Sequence, residues 1–365
     1  LSFLHILYPA YSGQQMDSYA KRFRQVNQKY QEFKQDNVLV MDEKPAVYIH
    51  RIVSKKRTFT GIIVGTCVED YKRDVIKRHE DTLQYRVELF KDYLKFSGFN
   101  TEPVLMTYPD HPELGRWITE KTSAKADFEF STTRQDLHYL WKIDDEAEIQ
   151  TLQETFKAIG NLYIADGHHR CASSELLYDE TKPAKGESTN YMMSFLISER
   201  NVKIYEFNRL LKDLNGLTKE DFLQKLSEWF EIESATLESA QPEQKHEFGM
   251  YVENDFYKLS LKEAKCTFTT PLDKLDAQIL FEKVLSPILS IYDLRNDERI
   301  EYLPGKIPIM DIKSKIDEGE FKLGFILFPA EIEDIKAIAD AHQIMPPKST
   351  YIEPKFRSGL VIYEL

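Results

Sequence analysis

The apolar run Leu162-Tyr163-Ile164-Ala165 stops abruptly at Asp166-Gly167-His168-His169-Arg170, and this corner constrains the fold more than any other stretch of the chain. The pattern predicts a buried strand handing over to a helix from about Gly167 to Tyr178, with Asp166 as the cap. The first N–H groups of a helix lack intrahelical partners and carry the positive end of its dipole. An anion placed there meets hydrogen bonds and charge together. Gly167 lets backbone pass close to a ligand, and His168, His169 and Arg170 add donors and potential positive charge. Asp166 beside them can bind a metal ion or orient a hydroxyl. The competing reading is a strand end whose Asp caps a helix while the histidines satisfy buried neighbours. Five functional residue types at one corner favour an anion site.

Hydrophobic periodicity places other elements around this corner. Helices are expected over residues 16–35, 72–99 and 146–159, strands over 45–50, 61–65, 103–108 and 191–197, and a hairpin over 127–143. After residue 200 the chain changes character. Helices are expected there over 219–230, 275–285 and 331–342, and strands near 248–251, 256–259, 323–328 and 360–363. The order predicts a mixed α/β (α+β) chain of two domains, 1–200 and 201–365, the second also α+β.

Composition removes several function classes. A formal net charge of -12 argues against nucleic acid as a partner, and no apolar run is long enough to span a bilayer. Cys67, Cys171 and Cys266 form no C-x-x-C pair, so neither a zinc ribbon nor a redox pair is expected, and a reducing, cytoplasmic setting fits. The chain begins at Leu1 rather than Met, so a natural N-terminus upstream is expected. There is no Walker loop and no Rossmann fingerprint. His168 and His169, adjacent on a helix, point too far apart to share one metal ion.

Two further clusters carry chemistry. In Ile76-Lys77-Arg78-His79-Glu80-Asp81, read as the start of a long helix, a buried Glu80 can act as general base for a hydroxyl, with His79 polarising its neighbour or holding a phosphate. In Met345-Pro346-Pro347-Lys348-Ser349-Thr350, followed by Glu353-Pro354-Lys355-Phe356-Arg357-Ser358-Gly359, two prolines stiffen a loop offering Lys348, Ser349, Thr350, Lys355 and Arg357 as donors for phosphate or carboxylate. Asn208-Arg209, Tyr292-Asp293-Leu294-Arg295 and His138 are weaker leads.

Together these motifs closely resemble the domain-of-unknown-function 1015 proteins of bacteria and archaea, almost end to end. The resemblance rests on Ser2 to His5, Ile76 to Glu80, Tyr163 to Arg170, Asn208-Arg209 with Lys212 to Gly216, and Met345 to Thr350 with Arg357-Ser358-Gly359. More distantly, the H-E pair and the D-G-H-H-R string are similar to the ParB/sulfiredoxin superfamily and, within it, to the free-serine kinases. That second resemblance implies a ParB/sulfiredoxin-like nucleotide-binding core in the first domain. It further implies a kinase using ATP or ADP with Mg²⁺ on free L-serine or a similar small hydroxy compound. Gly167, His168, His169 and Arg170 would hold the nucleotide phosphates, Asp166 the metal ion or the acceptor hydroxyl, and Glu80 would take the hydroxyl proton, assisted by His79. Lys348, Ser349, Thr350 and Arg357 are assigned to phosphate or substrate carboxylate on loop chemistry alone. The expectation is that Glu80, Asp166 and Lys348 line one pocket. Two alternatives use the same anion site: a nucleotide-binding switch or adaptor without turnover, and a phosphatase or nucleotidase. Sulfiredoxin chemistry is disfavoured, because His168 stands where the catalytic cysteine would follow the glycine.

Overall fold

The computed structural model describes residues 3–11, 18–133 and 135–365, so Ser2 and Met16 of the sequence reading lie outside the described residues. The chain divides into two units, each mixed α/β. The first holds the chain up to Arg78, Thr82–Val202 and Pro354–Leu365, and the second holds His79–Asp81 and Lys203–Glu353.

The first unit contains α1 (Leu4–Tyr11), α2 (Tyr19–Gln35), β1 (Val47–Val53), β2 (Thr58–Cys67), α3 (Val68–Lys72), β3 (Ile76–Lys77), α4 (Gln84–Ser97), β4 (Phe99–Asn100) and β5 (Val104–Tyr108). It continues with α5 (Pro112–Lys121), β6 (Phe128–Ser131), β7 (Leu137–Ile143), α6 (Glu146–Ile159), β8 (Leu162–Asp166), α7 (His168–Thr181) and β9 (Tyr191–Ser198). Eight of these strands form one mixed sheet in the order β3-β8-β5-β9-β2-β1-β7-β6. β8 lies between a parallel partner, β3, and an antiparallel one, β5. Its residues Leu162 to Ala165 are all buried, as a continuous apolar run in an interior strand requires. Ile49, Ile62, Met106, Trp141, Ile164 and Leu196 build the main core, and Ile6, Val26, Tyr30, Phe33 and Phe99 a second cluster.

One expected element is wrong. Residues 72–99 do not form a single helix. Asp74 takes a positive φ after α3, Ile76-Lys77 pair with Leu162-Tyr163 as β3, and helix resumes only at Gln84. Burial of Ile76 against the sheet outweighs the helical spacing of the residues after it. His79, Glu80 and Asp81 therefore sit on non-helical chain. Helix α5 was not anticipated.

The second unit contains β10 (Lys203–Leu211), α8 (Lys219–Leu226), β11 (Phe230–Ala235), β12 (Glu247–Val252), β13 (Asp255–Leu261) and α9 (Asp276–Leu280), which runs into a π turn over Phe281–Leu285. Then follow β14 (Ile300–Pro304), α10 (Ile309–Asp317), β15 (Leu323–Leu327), α11 (Ile332–Asp340) and β16 (Thr350–Glu353). Its sheet runs β11-β13-β12-β15-β10-β14, with β16 on the first half of β10, and every pairing is antiparallel. Leu210, Tyr251, Leu303, Ile312, Phe321 and Ile326 lie in its core. β10 was not expected as a strand, because the polar pair Asn208-Arg209 interrupts its apolar pattern.

The last strand, β17 (Tyr363–Glu364), pairs with β4, and the Leu365 N–H reaches the Gly98 carbonyl. The end of the chain thus belongs to the first unit, which differs from a simple division at residue 200. Among the described residues no helix is long and apolar enough to cross a membrane.

Candidate functional site

In the first unit, β8 delivers Asp166 to the edge of the core and α7 starts two residues later. Gly167 occupies the N-cap at φ 108°, and a Cβ there would lie 2.8 Å from the Nε of Arg170. An L side chain would meet both strained backbone and the guanidinium, so the tight corner requires glycine. The expected Asp166 cap is not made. The Asp166 carboxylate instead accepts from Arg170 Nη2 at 2.8 Å on one oxygen and from Lys355 Nζ at 2.8 Å on the other. Two charge-assisted bonds to cations outcompete one bond to a backbone N–H.

Arg170 is clamped on its other side by Glu102 Oε1 at 2.9 Å and the Pro103 carbonyl at 2.6 Å. Glu102 is within reach because β5 and β8 are antiparallel, with Leu105 opposite Asp166 next to a register shift. At the first turn of α7, Arg170 thus pairs with two carboxylates, and Lys355 with one of them.

The two histidines behave differently from Arg170. His168 is buried at 3% exposure. His169 accepts the backbone N–H of Leu83 on Nε2 at 3.1 Å. That bond satisfies the N-cap residue of α4, which has no side-chain cap. Arg170 carries a permanent charge at the corner, and Lys355 joins it there. Cys171 is buried and its thiol is pushed up to about 12 by that burial, which removes it as a nucleophile.

In the second unit two distant motifs meet. The Met345 N–H donates to the His79 carbonyl at 2.8 Å, so the His79–Asp81 segment lies against the start of the Pro346–Thr350 loop. His79 is 2% exposed, and burial pushes its imidazole down to about 4, which keeps it neutral and unfit to hold a phosphate as a cation. Glu80 is half-buried. Asp81 pairs with Arg295 at 3.4 Å.

Lys348 is exposed at positive φ, with its ammonium 5.3 Å from the centre of the Phe207 ring. Ser349 is buried and donates its hydroxyl to the Pro346 carbonyl at 2.7 Å, closing the loop on itself. Thr350 opens β16 opposite Glu206. Beneath the loop, Arg209 is buried at 1% exposure, with its guanidinium on the carbonyls of Phe207 and Lys348. Burial pushes Arg209 down to about 10.

Asp166, Gly167, His168, His169, Arg170 and Arg357 thus lie in the first unit, and His79, Glu80, Lys348, Ser349 and Thr350 in the second. The cation brought to Asp166 by the C-terminal segment is Lys355 rather than Arg357. Arg357 is exposed, and its charge acts on His138. Glu102 was missed altogether. Nothing in its local sequence marks it, since its role arises from strand pairing. Among the described residues no cluster of three or more His, Cys, Asp or Glu side chains could hold a metal ion by itself. The two carboxylates at the corner, Asp166 and Glu102, are both bonded to Arg170.

Among solved structures, a free serine kinase in complex with AMP is similar at 16% identity and a TM-score of 0.38, over 81% of this chain and 88% of that one. A mutant free serine kinase in complex with ADP is similar at 14% identity and a TM-score of 0.41, over 81% and 88%. SbnI with a C-terminal truncation, from Staphylococcus aureus, is similar at 15% identity and a TM-score of 0.43, over 81% and 84%. No curated protein matches the sequence. The family model described as a protein of unknown function, DUF1015, matches residues 1–278. The chain belongs to the DUF1015 family.

Proposed function

We propose that the protein is a phosphotransferase that moves a phosphoryl group from ATP or ADP to the hydroxyl of a small molecule, with free L-serine the first candidate. The observation that carries this reading is the corner itself. A 14-residue helix starts at a left-handed glycine, and an arginine from its first turn is fixed beside that start by Asp166 and Glu102. The positive end of the helix dipole, the first-turn N–H groups and the guanidinium converge there, which is the chemistry that nucleotide phosphates require. The D-G-H-H-R and H-E motifs, similar to those of free-serine kinases, point to the same ligand.

Phosphoryl transfer depends on positioning and charge neutralisation more than on covalent chemistry. Arg170 and the first turn of α7 would hold the donor's phosphates. Asp166, with Glu102, would hold Mg²⁺, which supplies charge neutralisation at the phosphate oxygens when bound. In transfer, the acceptor oxygen bonds to phosphorus, the bond from that phosphorus to the bridging oxygen breaks, and the hydroxyl proton passes to the Glu80 carboxylate. The neutral His79 serves as a hydrogen-bonding neighbour of Glu80 in this scheme, and the exposed Lys348 as a cation for the substrate carboxylate or a phosphate.

The test incubates the purified chain with ATP or ADP, Mg²⁺ and a panel of hydroxy amino acids, and assays phosphorylated product and free phosphate. O-phosphoserine formation that disappears in Glu80→Ala and Asp166→Ala supports the kinase. Nucleotide binding without any product contradicts it in favour of a switch, and free phosphate without acceptor contradicts it in favour of a hydrolase.

A further inference from the structure

The turn Tyr292-Asp293-Leu294-Arg295, in the second unit, lies outside the residues assigned to phosphoryl transfer. Its backbone is fixed. One oxygen of the Asp293 carboxylate accepts the N–H of Arg295 at 2.9 Å and that of Asn296 at 3.2 Å, and the other accepts the Asn296 side-chain amide at 2.8 Å. Leu294 is buried, and its carbonyl accepts the hydroxyl of Tyr302 on β14 at 2.7 Å. The turn therefore presents Arg295 from a set position.

The guanidinium goes to one residue of another segment of the same unit. Arg295 Nη2 donates to the Asp81 carbonyl at 3.3 Å, and Nη1 lies 3.4 Å from the Asp81 carboxylate. A planar fork that engages a backbone carbonyl and the carboxylate of the same residue restrains the direction of the chain there as well as its place. Asp81 directly follows Glu80, and the Met345 N–H holds the His79 carbonyl on the other side. Glu80 is thus bracketed by two restrained peptides, on a stretch that belongs to no helix or strand. The Asp81 carboxylate is 62% exposed, so its ion pair contributes little to stability. What the contact adds is placement. A general base must lie within hydrogen-bond reach of its proton, and a misplacement of about 1 Å can cost roughly 100-fold in rate.

We propose that Arg295 is a positioning residue for Glu80, holding Asp81 by its carbonyl and carboxylate so that the Glu80 carboxylate meets the acceptor hydroxyl. The proposal rests on reading Glu80 as the base of a phosphoryl transfer.

The experiment is a double-mutant cycle on the full chain with ATP or ADP, Mg²⁺ and L-serine, comparing wild type, Arg295→Met, Glu80→Gln and the double variant, with Arg295→Lys beside them. Arg295→Met is expected to lower kcat roughly 10- to 100-fold, with the KM for nucleotide and the melting temperature close to wild type. Arg295→Lys should recover part of the loss, because an ammonium can still reach one acceptor on Asp81. In the Glu80→Gln background Arg295→Met should cost nothing further, as for two residues that act as a unit. A merely structural role would lower the rate equally in both backgrounds. An unchanged kcat in Arg295→Met, or an equal fall in both backgrounds, overturns the role of Arg295 while leaving Glu80 as the base. Absence of phosphorylated product from the wild-type chain overturns both the phosphotransferase reading and this assignment.

Discussion

The Met345 N–H donates to the His79 carbonyl at 2.8 Å, across most of the length of the chain, and this bond ties the H-E motif to the loop that presents Lys348. Glu80 follows directly and is half-buried. If Glu80 takes the proton of the acceptor hydroxyl, Glu80→Gln keeps its shape and hydrogen-bonding capacity but removes the base. The expected result is a fall in kcat of roughly 10²- to 10⁴-fold with nucleotide affinity and melting temperature close to wild type. Steady-state kinetics alongside calorimetry check it, and unchanged kcat would remove Glu80 from the chemistry.

Arg209 supports the same loop from below. Its buried guanidinium holds the carbonyls of Phe207 and Lys348 and lies 5.2 Å from the centre of the Tyr302 ring. Arg209→Met leaves those carbonyls short of a donor, at a cost of about 1–3 kcal/mol for a buried group left unsatisfied. Urea denaturation should show a loss of stability of that size. A variant as stable as wild type would mean that burying the charge offsets the bonds it makes.

Gly167→Ala tests the corner without touching a charge. The added Cβ meets the Arg170 guanidinium on backbone that L residues rarely adopt, so strain of about 1–3 kcal/mol is expected. Nucleotide affinity should fall with it, because Arg170 must shift. Equal affinity and stability in the two proteins would show that the tight turn is not used.

The histidines buried in the first unit set an acid limit. His50 Nε2 lies 3.0 Å from His138 Nδ1 inside the sheet, and burial, reinforced by His138, pushes His50 from its ordinary value of 6.5 down to about 3. His138 is lowered as well, first by burial and then by Arg357. Below about pH 6.5 the unfolded chain binds protons that the folded chain refuses, so this contribution is complete above that pH and is lost as pH falls toward 3. Asp276 has the opposite sign. Burial raises it to about 8, so it favours the folded state at low pH and loses that effect as pH rises from its ordinary value of 3.8. Unfolding free energies measured from pH 7 to pH 4 should fall more steeply in wild type than in His50→Leu. Parallel curves would contradict the pair's role.

Much of this molecule is legible in its sequence, and the parts that are not share a physical cause. The strand β8 and the start of α7 could be read because a continuous apolar run and a glycine corner are local signals. The helix expected over residues 72–99 failed because Ile76 is claimed by a parallel partner, Leu162, far along the chain. Glu102 lacked any local mark, and Lys355 could be read as a loop donor but not as a partner of Asp166. One reaches Arg170 through antiparallel pairing of β5 with β8, and the other reaches Asp166 because the chain end folds back onto the first unit. Charges were visible in the sequence, but their partners were not. At the corner read as three potential cations, Arg170 pairs with the carboxylates of Asp166 and Glu102, and Lys355 with Asp166.

Hydrogen exchange at the backbone amides of His168 to Cys171, with and without ADP and Mg²⁺, tests most directly whether phosphates seat on the first turn of α7. Exchange at these amides should slow on saturation with ADP, and the slowing should vanish in Arg170→Met. Unchanged exchange there at saturating nucleotide, with protection confined to other segments, would contradict the assignment of this corner as the phosphate site.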